Sequence, residues 1–184
     1  FILAWPFKGN QPPLWFLDKL IGTATSYNYG SVEAFNLMAL LGGNWKSADS
    51  NLFILTYAQL GTVLMVLCIA ASILMYIKGR GKNRGCLALT AGYMIIALFE
   101  LGHYMHERYV VPALLLILVA FIYYRDRRLF VSFAWLSVAA LYNACYALII
   151  VGNQNWRTDY YTALMAAGCI INLAGFVYLS IACF

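Results

Sequence analysis

Five long apolar runs set the strongest limit on what this chain can fold into. They carry almost no charge, are separated by short loops, and cover Leu52–Ile77, Cys86–Gly102, Tyr109–Tyr124, Leu129–Val151 and Tyr160–Phe184. A helix needs about 20 apolar residues to cross a bilayer. The second and third runs are short and would have to borrow flanking residues. The pattern predicts an all-α fold, a polytopic bundle of about five transmembrane helices.

The overall composition agrees with a membrane protein. Of the 184 residues, 64% are hydrophobic and 10% are charged, and the mean hydropathy is +0.75. A soluble domain this apolar would lack the polar residues to cover its surface. The net charge of +5 does not indicate nucleic acid, because the basic residues lie in short loops between apolar runs. We expect membrane lipid as a partner and no nucleic acid.

The basic loops predict the orientation. Lys78–Arg84 and Arg125–Arg128 carry seven positive charges, whereas the two short loops at the opposite ends of the runs, at 103–108 and 152–159, carry only Arg108 and Arg157. Loops rich in lysine and arginine stay in the cytoplasm. The chain is therefore expected to be an integral multi-pass membrane protein with His103–Arg108 on the extracytoplasmic face.

The part of the chain before the first long run divides in two. Residues 1–7 are apolar but too short to span, which predicts the end of a transmembrane helix that begins upstream. Residues 8–51 would form an extracytoplasmic loop, and residues 52–184 the five-helix transmembrane module. Within the loop, QPPLWFLDKLIG and SVEAFNLMALLGG predict one or two interfacial or re-entrant helices.

Polar residues interrupt several of these apolar stretches. Glu33 and Asn36 fall off the apolar stripe that helical spacing would give to SVEAFNLMALLGG. Asn143 and Asn172 lie inside the fourth and fifth runs. A buried amide in a membrane helix normally hydrogen-bonds to a neighbouring helix, so these two predict helix packing.

Ionisable residues cluster where the second run gives way to the third. The sequence FELGHYMHER contains Glu100, His103, His106, Glu107 and Arg108. Ionisable groups inside a membrane are costly and usually functional. If the second run stayed helical through Arg108, Glu100, His103 and Glu107 would share one face. Glu100 is the most informative, because it lies deepest in an apolar run.

The cluster has three interpretations. Arg108 and a histidine suit a lipid-linked phosphate, the guanidinium as a charged donor and the imidazole as a second donor or proton carrier. A divalent metal such as zinc is a weaker alternative, because the spacing is not HExxH and no clear third ligand is evident. The simplest interpretation is a charged loop at a helix end, with Glu107 and Arg108 in solvent.

Two segments resemble multi-spanning glycosyltransferases of the GT-C superfamily. His103–Leu118 resembles the His-Glu-Lys/Arg segment and proline-bearing helix of the dolichol-phosphate-glucose-dependent glucosyltransferases and their bacterial relatives. Ser26–Trp45 resembles a bacterial segment of the form Tyr-x-Ser-Val-x-Ala-Phe-Asn-Leu-x-Ala-Leu-Leu-Gly. Arg108 stands where the eukaryotic members have lysine, and His103 is shifted by one from the His-x-His-Glu pattern of some members.

The resemblance implies an inverting hexosyltransferase of the bacterial plasma membrane. Such enzymes move a sugar from a polyprenyl-phosphate carrier to a glycan or lipid-linked acceptor on the extracytoplasmic face, with no certain cofactor. The implied donor-phosphate residues are His106, Arg108 and His103, supported by Glu107, Glu100, Tyr104, Glu33 and Asn36. The general base would lie in an outer loop upstream, so this C-terminal portion is expected to be inactive alone.

Functions of two other classes are alternatives. A transporter or lipid flippase would carry paired ionisable residues deep in several spans, and only Glu100 approaches that. A non-catalytic membrane scaffold would need none of the cluster. No nucleotide-binding loop is evident, since the glycines of KGRGKNRG follow no strand. A transferase without one would need a membrane-borne donor.

Overall fold

The computed structural model describes residues 5–25, 27–152 and 162–184. These residues form seven α-helices: α1 (Trp15–Thr25), α2 (Leu37–Leu40), α3 (Tyr57–Gly79), α4 (Cys86–Leu101), α5 (Val111–Tyr124), α6 (Arg127–Gly152) and α7 (Ala163–Cys183). They also form four two-residue strands: β1 (Ser31–Val32), β2 (Asn51–Leu52), β3 (Leu55–Thr56) and β4 (Met105–His106). The chain is mostly helical, as predicted.

Three of the described helices are long and apolar enough to cross a membrane. They are α3, α7 and the Arg127–Ile149 part of α6. The two helices between them are apolar but shorter, with 16 residues in α4 and 14 in α5. Each of the five apolar runs contains one helix, and three of these five have the length of a membrane span.

Helices α3 to α7 pack in the order of the chain. Each contacts the next, and α7 also contacts α4. Apolar side chains from α4 to α7 form the core, among them Ile96, Phe99, Ile117, Leu136 and Leu179. Large apolar side chains also cover much of the outside, as expected for a surface that contacts lipid.

Helix α3 begins at Tyr57, whereas its apolar run begins at Leu52. Asn51–Leu52 and Leu55–Thr56 pair as an antiparallel hairpin whose tip exposes Phe53 and Ile54. Thr56 then caps the helix, because its hydroxyl accepts from the Gln59 N–H while the Gln59 side chain accepts from the Thr56 N–H. This reciprocal cap fixes the helix start at Tyr57.

The loop is predicted to contain one or two short helices, and one full helix is present. QPPLWFLDKLIG contributes most of α1, which begins two residues after Pro13 and exposes Leu17, Leu20 and Ile21. SVEAFNLMALLGG forms only a single helical turn, Leu37–Leu40.

Residues 31–43 are extended and turned, and they lie inside one end of the bundle. Pairing with β4 holds residues 31 and 32 extended, and Glu33 has a left-handed φ of 54°. Glu33 and Asn36, which a helix would have placed off the apolar stripe, are both buried with Phe35. We call the end of the bundle that holds β1 and β4 the strand end. The opposite end, with Lys78–Arg84 and Arg125–Arg128, is the basic end.

Three parts of the chain named in the sequence analysis lie outside the described residues. They are residues 1–4 of the predicted helix end, whose remainder forms a short 3-10 turn at Trp5–Phe7, Ser26 at the start of the Ser26–Trp45 segment, and residues 153–161 with Arg157.

Candidate functional site

A parallel strand pair brings the two singled-out segments together at the strand end. Ser31 lies opposite Met105, and Val32 lies opposite His106. The Tyr104 N–H donates to the main-chain oxygen of Tyr29 at 3.2 Å, extending the contact by one residue. The loop segment at 29–36 and the His-Glu-Arg segment at 106–108 therefore form one structural unit.

The histidine and glutamate side chains do not share a helical face. Helix α4 ends at Leu101, and Gly102 is already extended, with φ −84° and ψ 161°. The Asn36 side-chain amide donates to the main-chain oxygens of Phe99 at 3.0 Å and Gly102 at 3.2 Å. It thereby pairs carbonyl groups that a helix end leaves without partners. The condition of a helix that continues through Arg108 is therefore not met, and Asn36 has a structural role.

Glu33 is a buried carboxylate with only one of its oxygens paired. The Trp45 indole N–H donates to its Oε1 at 2.6 Å, and the Asn44 amide donates to the same atom at 3.4 Å. Its Oε2 has no hydrogen-bond partner among the described residues. Burial raises the pKa of Glu33, the bonds from Trp45 and Asn44 oppose that rise, and the charge of Glu107 adds to it.

His106 is buried between two tyrosine rings. Its ring makes edge contacts with Tyr27 and Tyr109, with centroids 5.0 and 5.1 Å away. Burial lowers the pKa of His106, the positive charge of Arg108 lowers it further, and Glu107, 4.0 Å from Nδ1, opposes the shift. The imidazole is neutral at neutral pH, and in that form one ring nitrogen donates and the other accepts.

Arg108 and Glu107 lie at the mouth of an apolar groove. Arg108 Nη1 is 3.2 Å from Glu107 Oε1, and 63% of the Arg108 side chain is exposed. Between the start of α5 and the side of α6, the groove has a volume of about 270 Å³. Its remaining lining is apolar and mostly small: Val111, Ala140, Ala144, Ala147 and Leu148. The arrangement offers a cationic donor beside a narrow apolar channel.

His103 and Glu100 are separate from this groove. The His103 ring packs on Tyr104, with centroids 4.0 Å apart, and lies against Gly61 of α3. Burial lowers the pKa of His103. Glu100 is fully buried, and neither carboxylate oxygen has a hydrogen-bond partner within the described ranges. Glu100 lies near enough to Cys169 of α7 for the two groups to interact electrostatically.

Two asparagines of the bundle bind the loop segment and not a neighbouring helix. Asn143 of α6 donates to the Glu33 main-chain oxygen at 2.6 Å and accepts from the Phe35 N–H at 3.0 Å. Asn172 of α7 donates to the Phe35 main-chain oxygen at 2.8 Å. The prediction of a helix partner is wrong. An amide side chain in an apolar helix predicts that a hydrogen-bond partner lies nearby, but it does not predict which residue is that partner.

The described part of the chain contains no group of three or more His, Cys, Asp or Glu side chains placed to hold a metal ion. Comparisons with protein-family models, curated proteins and solved structures found no match to this chain.

Proposed function

We propose that this chain is the membrane module of a GT-C-type glycosyltransferase and that it binds the polyprenyl-phosphate donor. The sugar would pass to a glycan or lipid-linked acceptor on the extracytoplasmic side. The observation that carries the proposal is the pairing of β1 with β4. It joins the two segments that resemble this superfamily, although they are far apart in the sequence. The proposal includes five membrane-spanning helices, α3 to α7, with the strand end outside.

The groove beside Arg108 suits a lipid-linked phosphate. A guanidinium has five N–H donors, and the contact with Glu107 leaves several of them for a phosphate. The alanines of α6 leave room for an isoprenyl chain beside it. Negative charge grows on the departing phosphate as the sugar is transferred, and a fixed cation stabilises that charge. Neutral His106, two residues before Arg108 in sequence, is a second N–H donor.

The three glutamates at this end do not serve as the general base in the proposal. Glu33 is bonded to Trp45, Glu107 to Arg108, and Glu100 is enclosed in the bundle. An acceptor hydroxyl needs a free carboxylate within hydrogen-bond reach. We therefore assign the general base to none of these three side chains.

The experiment is donor-dependent sugar transfer by the full-length protein reconstituted in liposomes. Arg108→Gln should lower transfer about tenfold or more, the usual effect of losing a charged hydrogen bond, and His106→Ala should lower it too. Lys46→Gln is the matched control, because Lys46 is an exposed cation near the strand end that does not line the groove. Absence of transfer from every polyprenyl-phosphate sugar tested would contradict the proposal.

The groove itself has a separate test. Ala144→Phe would fill the apolar channel without changing charge and should raise the donor concentration needed for half-maximal transfer. Leu141→Phe adds bulk on the same helix at an exposed site that does not line the groove. Equal effects of the two variants would show that the lipid chain does not use this channel.

One observation favours a transporter or lipid flippase as the second candidate. Glu100 is a buried carboxylate without a hydrogen-bond partner in the described part of the chain, as a relay residue in a membrane path often is. The helices α3 to α7 contain no other acidic residue. Lipid movement across vesicles that needs Glu100 and proceeds without any sugar transfer would favour this candidate.

A further inference from the structure

A second cavity lies at the basic end of the bundle. It has a volume of about 300 Å³ and lies where the ends of the five helices α3 to α7 meet. Its floor is apolar, with Met75, Leu89, Leu129 and Ala182, and its polar lining includes Lys78, Lys82, Tyr124 and Asp126. An apolar floor beneath a cationic rim matches a ligand with an anionic head and an apolar body.

The rim of this cavity keeps an uncompensated positive charge. Asp126 is the only acidic side chain in its lining, and Arg128 binds it through two nitrogens, with Nη2 2.8 Å from Oδ2 and Nε 3.2 Å from Oδ1. Lys78 and Lys82 form no salt bridge within the described ranges. Both ammonium groups are therefore available to an anion.

The loop that carries Lys82 is held in place. Gly81 adopts a left-handed φ of 80°, which glycine adopts without strain, and the Lys82 N–H donates to the Gly79 oxygen at 3.1 Å. The Asn83 side chain donates to the Tyr123 main-chain oxygen at 3.3 Å and accepts from the Gly85 N–H at 2.7 Å. These bonds fix the turn against the end of α5, so the backbone that carries Lys82 is in place before any ligand arrives.

We propose that this cavity binds the phosphate group of an anionic phospholipid, with Lys78 and Lys82 as donors to the phosphate. The apolar floor and the position at the helix ends favour a lipid, whereas a soluble phosphate ester would share only the headgroup chemistry. The site does not depend on the proposed sugar transfer, because Arg108 and its groove lie at the other end of the bundle.

The experiment measures lipid retention by the purified chain. Native mass spectrometry after exchange into detergent with phosphatidylglycerol, phosphatidylcholine or soluble glycerol 3-phosphate gives the binding of each probe. We expect phosphatidylglycerol to be retained in preference to the other two. The double variant Lys78→Gln/Lys82→Gln should weaken that binding at least about tenfold.

The matched control is Arg80→Gln/Arg84→Gln. It removes the same charge from the same loop, at residues that do not line the cavity, and it should leave most of the binding intact. Equal losses in the two double variants would overturn the proposal in favour of diffuse surface charge. Binding of glycerol 3-phosphate as tight as that of phosphatidylglycerol would overturn the lipid assignment.

A variant with unchanged charge covers the case in which the lysine variants fail to fold. Ala182→Leu would narrow the floor and should lower phosphatidylglycerol retention while leaving Lys78 and Lys82 in place. Unchanged retention in folded Ala182→Leu would place the lipid outside the cavity and contradict the proposal.

Discussion

The Asn143 side chain in α6 donates a hydrogen bond of 2.6 Å to the main-chain oxygen of Glu33, which precedes it by 110 residues. Asn143 also accepts from the Phe35 N–H, so one side chain pairs two main-chain groups of the buried loop segment. A segment with little regular structure inside a bundle must find such partners, because an unpaired buried backbone group is costly. The helices supply the side-chain amides of Asn143 and Asn172, which pair the main-chain groups of Glu33 and Phe35. These bonds offset the cost of burying the segment inside the bundle.

We predict that Asn143→Leu destabilises the protein strongly. The change introduces an apolar side chain of similar size and leaves the Glu33 oxygen and the Phe35 N–H unpaired, at about 1–3 kcal/mol for each group. The measurement is the thermal unfolding midpoint in detergent. Asn51→Leu, at an exposed site in β2, is the control. Equal midpoints for the two variants would show that these bonds contribute little.

The positions of the long helices follow from the sequence for a simple reason. A run such as Leu129–Val151 has no charged residue and must pair its own backbone groups, which a helix does within the run. The positions of α3 to α7 were predicted on this basis. The residues at which α4 and α5 begin and end do not follow from the sequence in this way, because the turns and caps at their ends depend on the rest of the fold.

The buried position of residues 31–43 could not be predicted in the same way. Their apolar pattern fits a surface helix as well as a buried turn. The groups that decide between these, Asn143 and Asn172, bind Phe35 from 108 and 137 residues away. The end of α4 depends in the same way on Asn36, 63 residues before the Phe99 oxygen it pairs. Local sequence patterns do not reveal such distant partners.

We predict that Gly168→Ala is destabilising although alanine favours a helix. A Cβ at position 168 in α7 would overlap the buried Phe35 ring and crowd Tyr142. Phe35 also packs against Tyr146, with centroids 5.1 Å apart, so it has little room to move. Overpacking of this kind costs about 1–3 kcal/mol, which exceeds the helix gain of about 1 kcal/mol.

The control for this change is Gly22→Ala in α1. A Cβ there meets no described atom within 4 Å, so only the helix preference should act, and stability should be equal or slightly higher. Chemical or thermal unfolding of both variants gives the comparison. A Gly168→Ala protein as stable as the parent would mean that Phe35 has an alternative position.

We predict that stability falls on acidification below about pH 6.5. Burial lowers the pKa of His103 and His106 below the ordinary value of 6.5. Between the lowered pKa of the folded state and pH 6.5, the unfolded chain binds protons that the folded chain does not. Unfolding therefore becomes more favourable as pH falls through this range. Well above pH 6.5 both states hold neutral imidazoles, and the two histidines add no pH dependence. Unfolding midpoints between pH 7.5 and 5.5 measure this slope.

The double variant His103→Gln/His106→Gln should flatten the slope. Glu33 acts in the opposite sense, because burial raises its pKa and the folded state then holds a proton the unfolded state has lost. Its contribution to stability falls as pH rises above its ordinary value of 4.5. A slope that is unchanged in the histidine variant would contradict the prediction, whereas Glu33→Gln should steepen the fall in stability because it removes the opposing contribution.

We predict that Glu100→Gln raises the unfolding midpoint. The carboxylate is fully buried without a described hydrogen-bond partner, and glutamine keeps its shape without an ionisable group. Glu107→Gln is the control. The Glu107 carboxylate is part-exposed beside Arg108, and losing that pair should cost at most about 1 kcal/mol. A lower midpoint for Glu100→Gln would reveal a partner for its carboxylate.

The bonds from Asn143 and Asn172 also limit how the bundle can move. Asn143 belongs to α6 and Asn172 to α7, and both bind the same residue, Phe35. A change in the angle between these helices would pull the two asparagines apart and draw residues 33–35 with them. Because residues 31 and 32 pair with Met105 and His106, that displacement would reach the residues beside Arg108. Helix rearrangement and the geometry at the mouth of the groove are thus mechanically linked.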